Sequence, residues 1–142
     1  MEKEIEKEIE KELNVNEYSP LSLAFIGDSV YDLIIKTKII RAGNKQVKKL
    51  HQDTSHLVNA AAQSTMMRTL QDLLSDEERE VYKRGRNTKS VSPAKNQSVT
   101  DYRRATGFEA LVGYLYLQGK YERISELVEI GLASLMEKQK EK

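Results

Sequence analysis

Two acidic residues lie alone in apolar helical sequence, and they are the best candidates for chemistry. Asp28 lies within LSLAFIGDSVYDLII, residues 21–35, and Glu109 lies within ATGFEALVGYLYL, residues 105–117. We expect both carboxylates to be buried, and a buried carboxylate is costly unless a cation or hydrogen-bond donors compensate it. Two such acids on separate helices favour a shared partner, for which a divalent cation with oxygen ligands is a good candidate.

Other combinations of residues give weaker support for catalysis. Asp32 lies one helical turn after Asp28, so the two acids share a helix face and either chelate a hard cation or form the exposed stripe of the helix. His51 and His56 are five residues apart, whereas helical metal pairs are roughly three or four apart, so we expect surface positions. The chain has no cysteine, which excludes zinc–thiolate sites and thiol catalysis.

Charge is segregated along the 142-residue chain, although its net charge is only +1. Residues 36–50 and 83–100 are rich in Lys and Arg and contain no acid. This pattern fits either a face that binds a polyanion or a solvated lysine-rich surface. No apolar run approaches the roughly 20 residues of a membrane span, so we expect one cytoplasmic domain without a membrane partner.

Capping signals and apolar periodicity predict an all-α protein. Gly27, in the middle of the most apolar helix, would permit the close approach of another helix or a ligand. Residues 85–98 are dense in Gly, Pro, Asn and Ser and predict a long basic loop. The predicted helices cover residues 1–13, 20–40 (capped by Ser19), 45–51, 54–74, 76–84 (Ser75), 99–118 (Ser98) and 121–136.

The two acidic segments also carry a family resemblance. LSLAFIGDSVYDL, with Gly27 and Asp28, resembles the signature helix of the ribonuclease III family, and GFEALVGYLYLQG resembles the second acidic helix of that family. With the RGRN loop and DYRRATGFEALVGYLYL, the chain is similar to the bacterial Mini-ribonuclease III subgroup. The resemblance implies a ribonuclease III endonuclease-domain-like helical bundle over residues 18–138. Residues 1–17 would form a charged extension and residues 139–142 a frayed tail, with no double-stranded-RNA-binding domain after residue 140.

The resemblance implies an endoribonuclease that hydrolyses double-stranded RNA with Mg²⁺ and leaves 5′-phosphate and 3′-hydroxyl ends. Asp28 and Glu109 would be catalytic and hold the metal, and Asp32 would orient a metal-bound water. Phe25 would lie in the interface of a homodimer. The substrate implied is a stem of the 23S (large-subunit) ribosomal RNA precursor. The residues expected to bind RNA phosphates are Arg84, Arg86, Lys89 and Lys95.

The sequence departs from the family pattern at two positions. Ala24 and Thr106 stand where the family usually has a Glu and an Asp. With fewer carboxylates, the site would hold one Mg²⁺ tightly or rely on phosphate oxygens and water to hold a second. Two other interpretations stay open: a catalytically inactive double-stranded-RNA-binding module, and a helical adaptor whose acids pair with Arg103 or Arg104.

Overall fold

Regular secondary structure is helical throughout the residues that the computed structural model describes, which are 1–10, 14–88 and 98–140. No strand occurs in these ranges, so the all-α prediction is confirmed. Short 3-10 turns cover Val15–Glu17 and Gln71–Leu73. The helices are α1 (Glu2–Glu10), α2 (Pro20–Ala42), α3 (Val47–Val58), α4 (Ala60–Leu70), α5 (Asp76–Arg86), α6 (Val99–Leu117) and α7 (Tyr121–Lys140).

The predicted capping residues begin the helices that carry the site. The Ser19 hydroxyl accepts from the backbone N–H of Ser22 at 3.1 Å and begins α2, where Pro20 occupies the first turn. The Ser98 hydroxyl accepts from the N–H of Asp101 at 2.9 Å and begins α6. Both acidic helices therefore start where their local sequence dictates.

The single helix predicted over residues 54–74 is wrong, because the chain breaks at Asn59. The Asn59 side-chain oxygen accepts from the N–H of Ala62 at 2.8 Å, and its amide donates to the carbonyl of Ser55 at 3.0 Å. One side chain thus caps the end of α3 and the start of α4. Asn competes for backbone hydrogen bonds in this way, whereas the apolar periodicity continues across the break.

Helix α6 forms the centre of the molecule and packs against α2, α4 and α5. Its closest neighbour is α2, which it crosses at Gly27 and Gly113. A Cβ atom on Gly27 would lie 1.7 Å from the carbonyl oxygen of Glu109, and one on Gly113 would lie 2.0 Å from that of Leu23. The crossing is therefore closer than any residue with a side chain would permit at these two positions.

Helix α7 packs along α4 and is tied to the start of α5. The Arg123 guanidinium donates to both carboxylate oxygens of Glu78 at 2.9 Å and to the carbonyl of Leu73 at 2.8 Å. Glu78 also completes the predicted capping box with Ser75. None of the helices in the described part of the chain is long and apolar enough to cross a membrane.

Candidate active site

The crossing of α2 and α6 brings the two predicted acids together. Asp28 follows Gly27 directly, and the backbone of Glu109 lies against that glycine. The Glu109 carboxyl is within hydrogen-bonding reach of the Asp28 carboxyl. The glycine that breaks the apolar pattern of α2 therefore sets the distance between the acids.

The two carboxylates differ in burial. Glu109 is half-buried, whereas Asp28 is exposed, so the expectation that both are buried is wrong for Asp28. Helix α2 has a second apolar face that the fold leaves open, on which Phe25 is 79% exposed and Leu33 is 67% exposed. Some of the apolar residues next to Asp28 in the sequence are themselves exposed, so they did not indicate that Asp28 is buried.

Glu109 holds its proton unusually tightly. Burial, together with hydrogen bonding to the neighbouring Asp28 and repulsion by its charge, raises the pKa of the Glu109 carboxyl from 4.5 to about 8. A carboxyl with such a pKa is largely protonated at neutral pH in the metal-free protein. A cation placed between the two acids would favour the ionised form.

A third polar side chain, Gln63 on α4, reaches the same site. It is 2% exposed, its Nε2 donates to the carbonyl of Val58 at 2.9 Å, and its hydrogen bond to Glu109 lowers the pKa of that carboxyl. Its Oε1 is buried without a hydrogen-bond partner, which typically costs about 1–3 kcal/mol. Gln63 is not among the residues predicted from the sequence, although its position in the buried stripe with Met66, Met67 and Leu70 was a usable signal.

The donor set fits a hard divalent cation, because two carboxylates converge there, and burial together with the nearby Asp28 raises the pKa of Glu109 in the absence of a cation. Ala24 and Thr106 are both buried at the positions where the resemblance led us to look for acids. Among the described residues, no cluster of three or more His, Cys, Asp or Glu side chains could hold a metal. The metal-binding role of Asp28 and Glu109 stays a prediction.

Asp32 has a different partner. Its carboxylate lies 2.9 Å from the ammonium of Lys36, one turn further along α2. Both side chains are substantially exposed, so this ion pair is weak and exchangeable. The role of Asp32 in orienting a metal-bound water stays a prediction.

Both histidines, His51 and His56, are exposed on α3, as expected.

Two of the residues expected to bind RNA phosphates, Arg84 and Arg86, lie at the end of α5. The guanidinium of Arg86 lies 5.6 Å from the ring centre of Tyr82. Arg84 is partly exposed and lines a surface cavity together with Glu77 and Glu80 of the same helix. Lys89 and Lys95 lie outside the described residues.

The interpretation as a helical adaptor loses support, because Arg104 donates to the Ser64 hydroxyl at 3.4 Å. The ion pairs of the described residues do not join Arg104 to Asp28 or to Glu109.

The second basic segment, residues 36–50, is partly neutralised by acids from elsewhere in the chain. Asp53 accepts from Lys45 at 2.9 Å and from Lys49 at 3.0 Å, and Lys38 pairs with Glu129 on α7. The two Asp53 pairs hold the pKa of that carboxyl below its usual value. This segment therefore presents less free positive charge than its sequence indicates.

Phe25 stands on the open apolar face of α2. Leu33, two turns along the same helix, is also exposed, and beside them lies a cavity of about 400 Å³. Large exposed apolar surfaces are typical of contact sites in soluble proteins. The residues that line this cavity are Ile26, Ser29, Val30, Leu33, Ile34, Tyr116, Tyr121, Ile124 and Ser125.

Known proteins share both the sequence and the fold. The ribonuclease III domain model matches residues 21–120. Mini-ribonuclease 3 of Thermoanaerobacter sp. (strain X514) is 49% identical over 119 residues, which span 84% of each chain. Mini-ribonuclease 3 of Clostridium tetani is 50% identical over 119 residues, 82% of this chain and 78% of that protein. A crystal structure of a protein from Fusobacterium nucleatum aligns with a TM-score of 0.77 and 30% identity, covering 86% of this chain and 98% of that one.

The matched region contains both acidic helices, their glycine crossing and α4 with Gln63. The similarity to the curated relatives extends over most of their length as well as most of this chain. The chain therefore belongs to the ribonuclease III domain family, in its Mini-ribonuclease 3 group, and is an endoribonuclease.

Proposed function

We propose that this endoribonuclease hydrolyses double-stranded RNA with Mg²⁺ held by Asp28 and Glu109, leaving 5′-phosphate and 3′-hydroxyl ends. The observation that carries the proposal is the convergence of the two carboxylates at the glycine crossing. Carboxylate oxygens are the ligands that Mg²⁺ prefers in proteins. When bound, Mg²⁺ lowers the pKa of a water molecule and neutralises charge on the reacting phosphoryl group.

The protein's own part in this chemistry is to place two negative oxygens at a fixed distance. Asp28 is exposed and therefore accessible to a phosphate backbone, whereas Glu109 is partly buried. Asp32 would orient a water of the site if it leaves Lys36 when RNA binds. With only two carboxylates, we propose one tightly bound Mg²⁺ per site, with any second ion held chiefly by phosphate oxygens and water.

We propose that the enzyme acts as a homodimer through the open apolar face around Phe25. One active site cuts one strand, so cutting both strands of a duplex calls for two sites related by a two-fold axis. The exposure of Phe25 and Leu33 and the adjacent apolar cavity support this assembly, because such a surface is costly to leave in water.

RNA binding is proposed to depend on phosphate contacts from the basic end of α5 and from basic residues that follow it in the sequence. An A-form duplex hides its base edges in a deep, narrow major groove, so recognition rests mainly on shape, phosphates and 2′-hydroxyls. The residues assigned to these contacts are Arg84, Arg86, Lys89 and Lys95. From the family resemblance we further propose a cytoplasmic role in maturing 23S ribosomal RNA at a precursor stem.

The test is cleavage of a long end-labelled RNA duplex by wild type, Asp28→Asn and Asp72→Asn, in Mg²⁺ and in EDTA. Wild type and Asp72→Asn, an exposed acid in the turn after α4, should cut only with Mg²⁺. Asp28→Asn should bind the duplex in EDTA as wild type does and should not cut it. Cutting by Asp28→Asn, or wild-type cutting in EDTA, would refute the proposed site. Binding without cutting by wild type would instead favour an RNA-binding module.

A further inference from the structure

Gln63 is a polar residue at a position where an apolar one would be expected to pack better. It lies on the face of α4 that packs against α6, in line with the buried side chains of Met66, Met67 and Leu70. Its amide oxygen has no hydrogen-bond partner although it is fully buried. A methionine would fill the same space without burying an amide oxygen that has no partner, so the amide needs a further explanation.

The contacts of the amide nitrogen supply one. One contact runs from Nε2 to the carbonyl of Val58, the last residue of α3, at 2.9 Å. The other joins the Gln63 side chain to the carboxyl of Glu109. A backbone carbonyl can only accept, so the carbonyl of Val58 fixes which end of the amide faces it. The unpartnered oxygen is the consequence.

The break between α3 and α4 anchors this arrangement. Because Asn59 ends α3 and begins α4, the carbonyl of Val58 is free of an α-helical partner and accepts from Gln63 instead. The Gln63 amide is thus hydrogen-bonded both to the backbone of Val58 and to the carboxyl of Glu109. Such an arrangement transmits a fixed position to Glu109, as the hydrogen-bonded partners of metal ligands commonly do.

We propose that Gln63 is a positioning residue that holds the Glu109 carboxylate toward Asp28, so that the two acids can bind one divalent cation. The inference rests on the proposed function of the acid pair and deepens it. Two neighbouring carboxylates repel one another when both are ionised, and a side chain that can rotate will separate them. A buried amide that is hydrogen-bonded to Glu109 opposes that rotation.

The test compares Gln63→Met with wild type and with Met67→Leu, a conservative change at a neighbouring buried position of α4. Mg²⁺ binding is measured by calorimetry with MgCl₂ in the absence of RNA, and single-turnover cleavage is measured as a function of Mg²⁺ concentration. For Gln63→Met we expect Mg²⁺ affinity to fall by about tenfold or more, as for other residues that support metal ligands. Its affinity for duplex RNA in EDTA should not change, and Met67→Leu should match wild type in every measurement.

Wild-type Mg²⁺ affinity and rate in Gln63→Met would overturn the inference while leaving the proposed function intact. Weakened Mg²⁺ binding in Gln63→Met, in a protein whose wild type cuts no RNA, would support the inference and refute the proposed function. If Gln63→Met loses its cooperative unfolding transition, Gln63→Asn keeps the amide but shortens its reach, and it should show the same loss of Mg²⁺ affinity. Failure of both variants to fold would assign Gln63 to the core and overturn the inference.

Discussion

The raised pKa of Glu109 predicts that this side chain destabilises the metal-free protein at alkaline pH. The pKa of Glu109 is about 8 in the folded protein against 4.5 for an unperturbed Glu. A pKa raised by folding means that the native state binds the proton more tightly than the unfolded state. Stability is therefore fully present below about pH 4.5 and is lost progressively as the pH rises to about 8.

The magnitude follows from the two pKa values. Each tenfold difference in proton affinity corresponds to about 1.4 kcal/mol, so the full loss is on the order of 5 kcal/mol at most for the half-buried Glu109. Between pH 6 and pH 8.5 the loss should amount to about 2 to 3 kcal/mol. Glu109→Gln cannot ionise, so it should lack this part of the pH dependence and be more stable than wild type in EDTA at pH 8.5.

The assay is urea unfolding of wild type and Glu109→Gln in EDTA at pH 6 and pH 8.5. Mg²⁺ should stabilise wild type more at pH 8.5 than at pH 6, because protons compete with the cation for Glu109. It should stabilise Glu109→Gln weakly at both values. Equal pH dependence of the unfolding free energy in the two proteins would refute the reasoning, since Glu109 would then not carry a proton that its surroundings impose.

Three further predictions concern the crossing, the apolar face and the RNA contacts. Gly27→Ala places a methyl group against the Glu109 backbone, so it should lower the free energy of urea unfolding by about 3 kcal/mol or more; a stability equal to wild type would contradict the close crossing. Phe25→Glu should convert the proposed dimer to monomers in sedimentation experiments, whereas Met136→Glu, at another exposed apolar residue, should not; a persistent dimer would place the interface elsewhere. Arg86→Gln should reduce the slope of log affinity against log salt by about one in duplex-binding titrations, and an unchanged slope would remove Arg86 from the phosphate contacts.

The sequence carried enough information for the acidic helices and for the meeting of the acids. Local signals, namely Ser19 and Ser98 as caps, act through neighbouring backbone groups and can be read from a few residues. The mid-helix position of Gly27 indicated a close approach, and α6 is what approaches it.

The features that could not be predicted from local sequence depend on contacts between distant residues. The break at Asn59 arises because one side chain satisfies backbone groups on both sides of it, which apolar periodicity does not register. Asp28 is exposed because one apolar face of α2 is left uncovered. Gln63 became a candidate only when the fold placed α4 against Glu109.

The most direct test of the account is a double-mutant cycle on the acid pair. Single-turnover cleavage of duplex RNA in Mg²⁺ would be measured for wild type, Asp28→Asn, Glu109→Gln and the double variant, with duplex binding in EDTA as the control. If the two carboxylates act as one metal site, each single substitution should lower the rate about as far as both together, with binding unchanged. Rate losses that multiply in the double variant, or a single variant that cuts at the wild-type rate, would contradict the account.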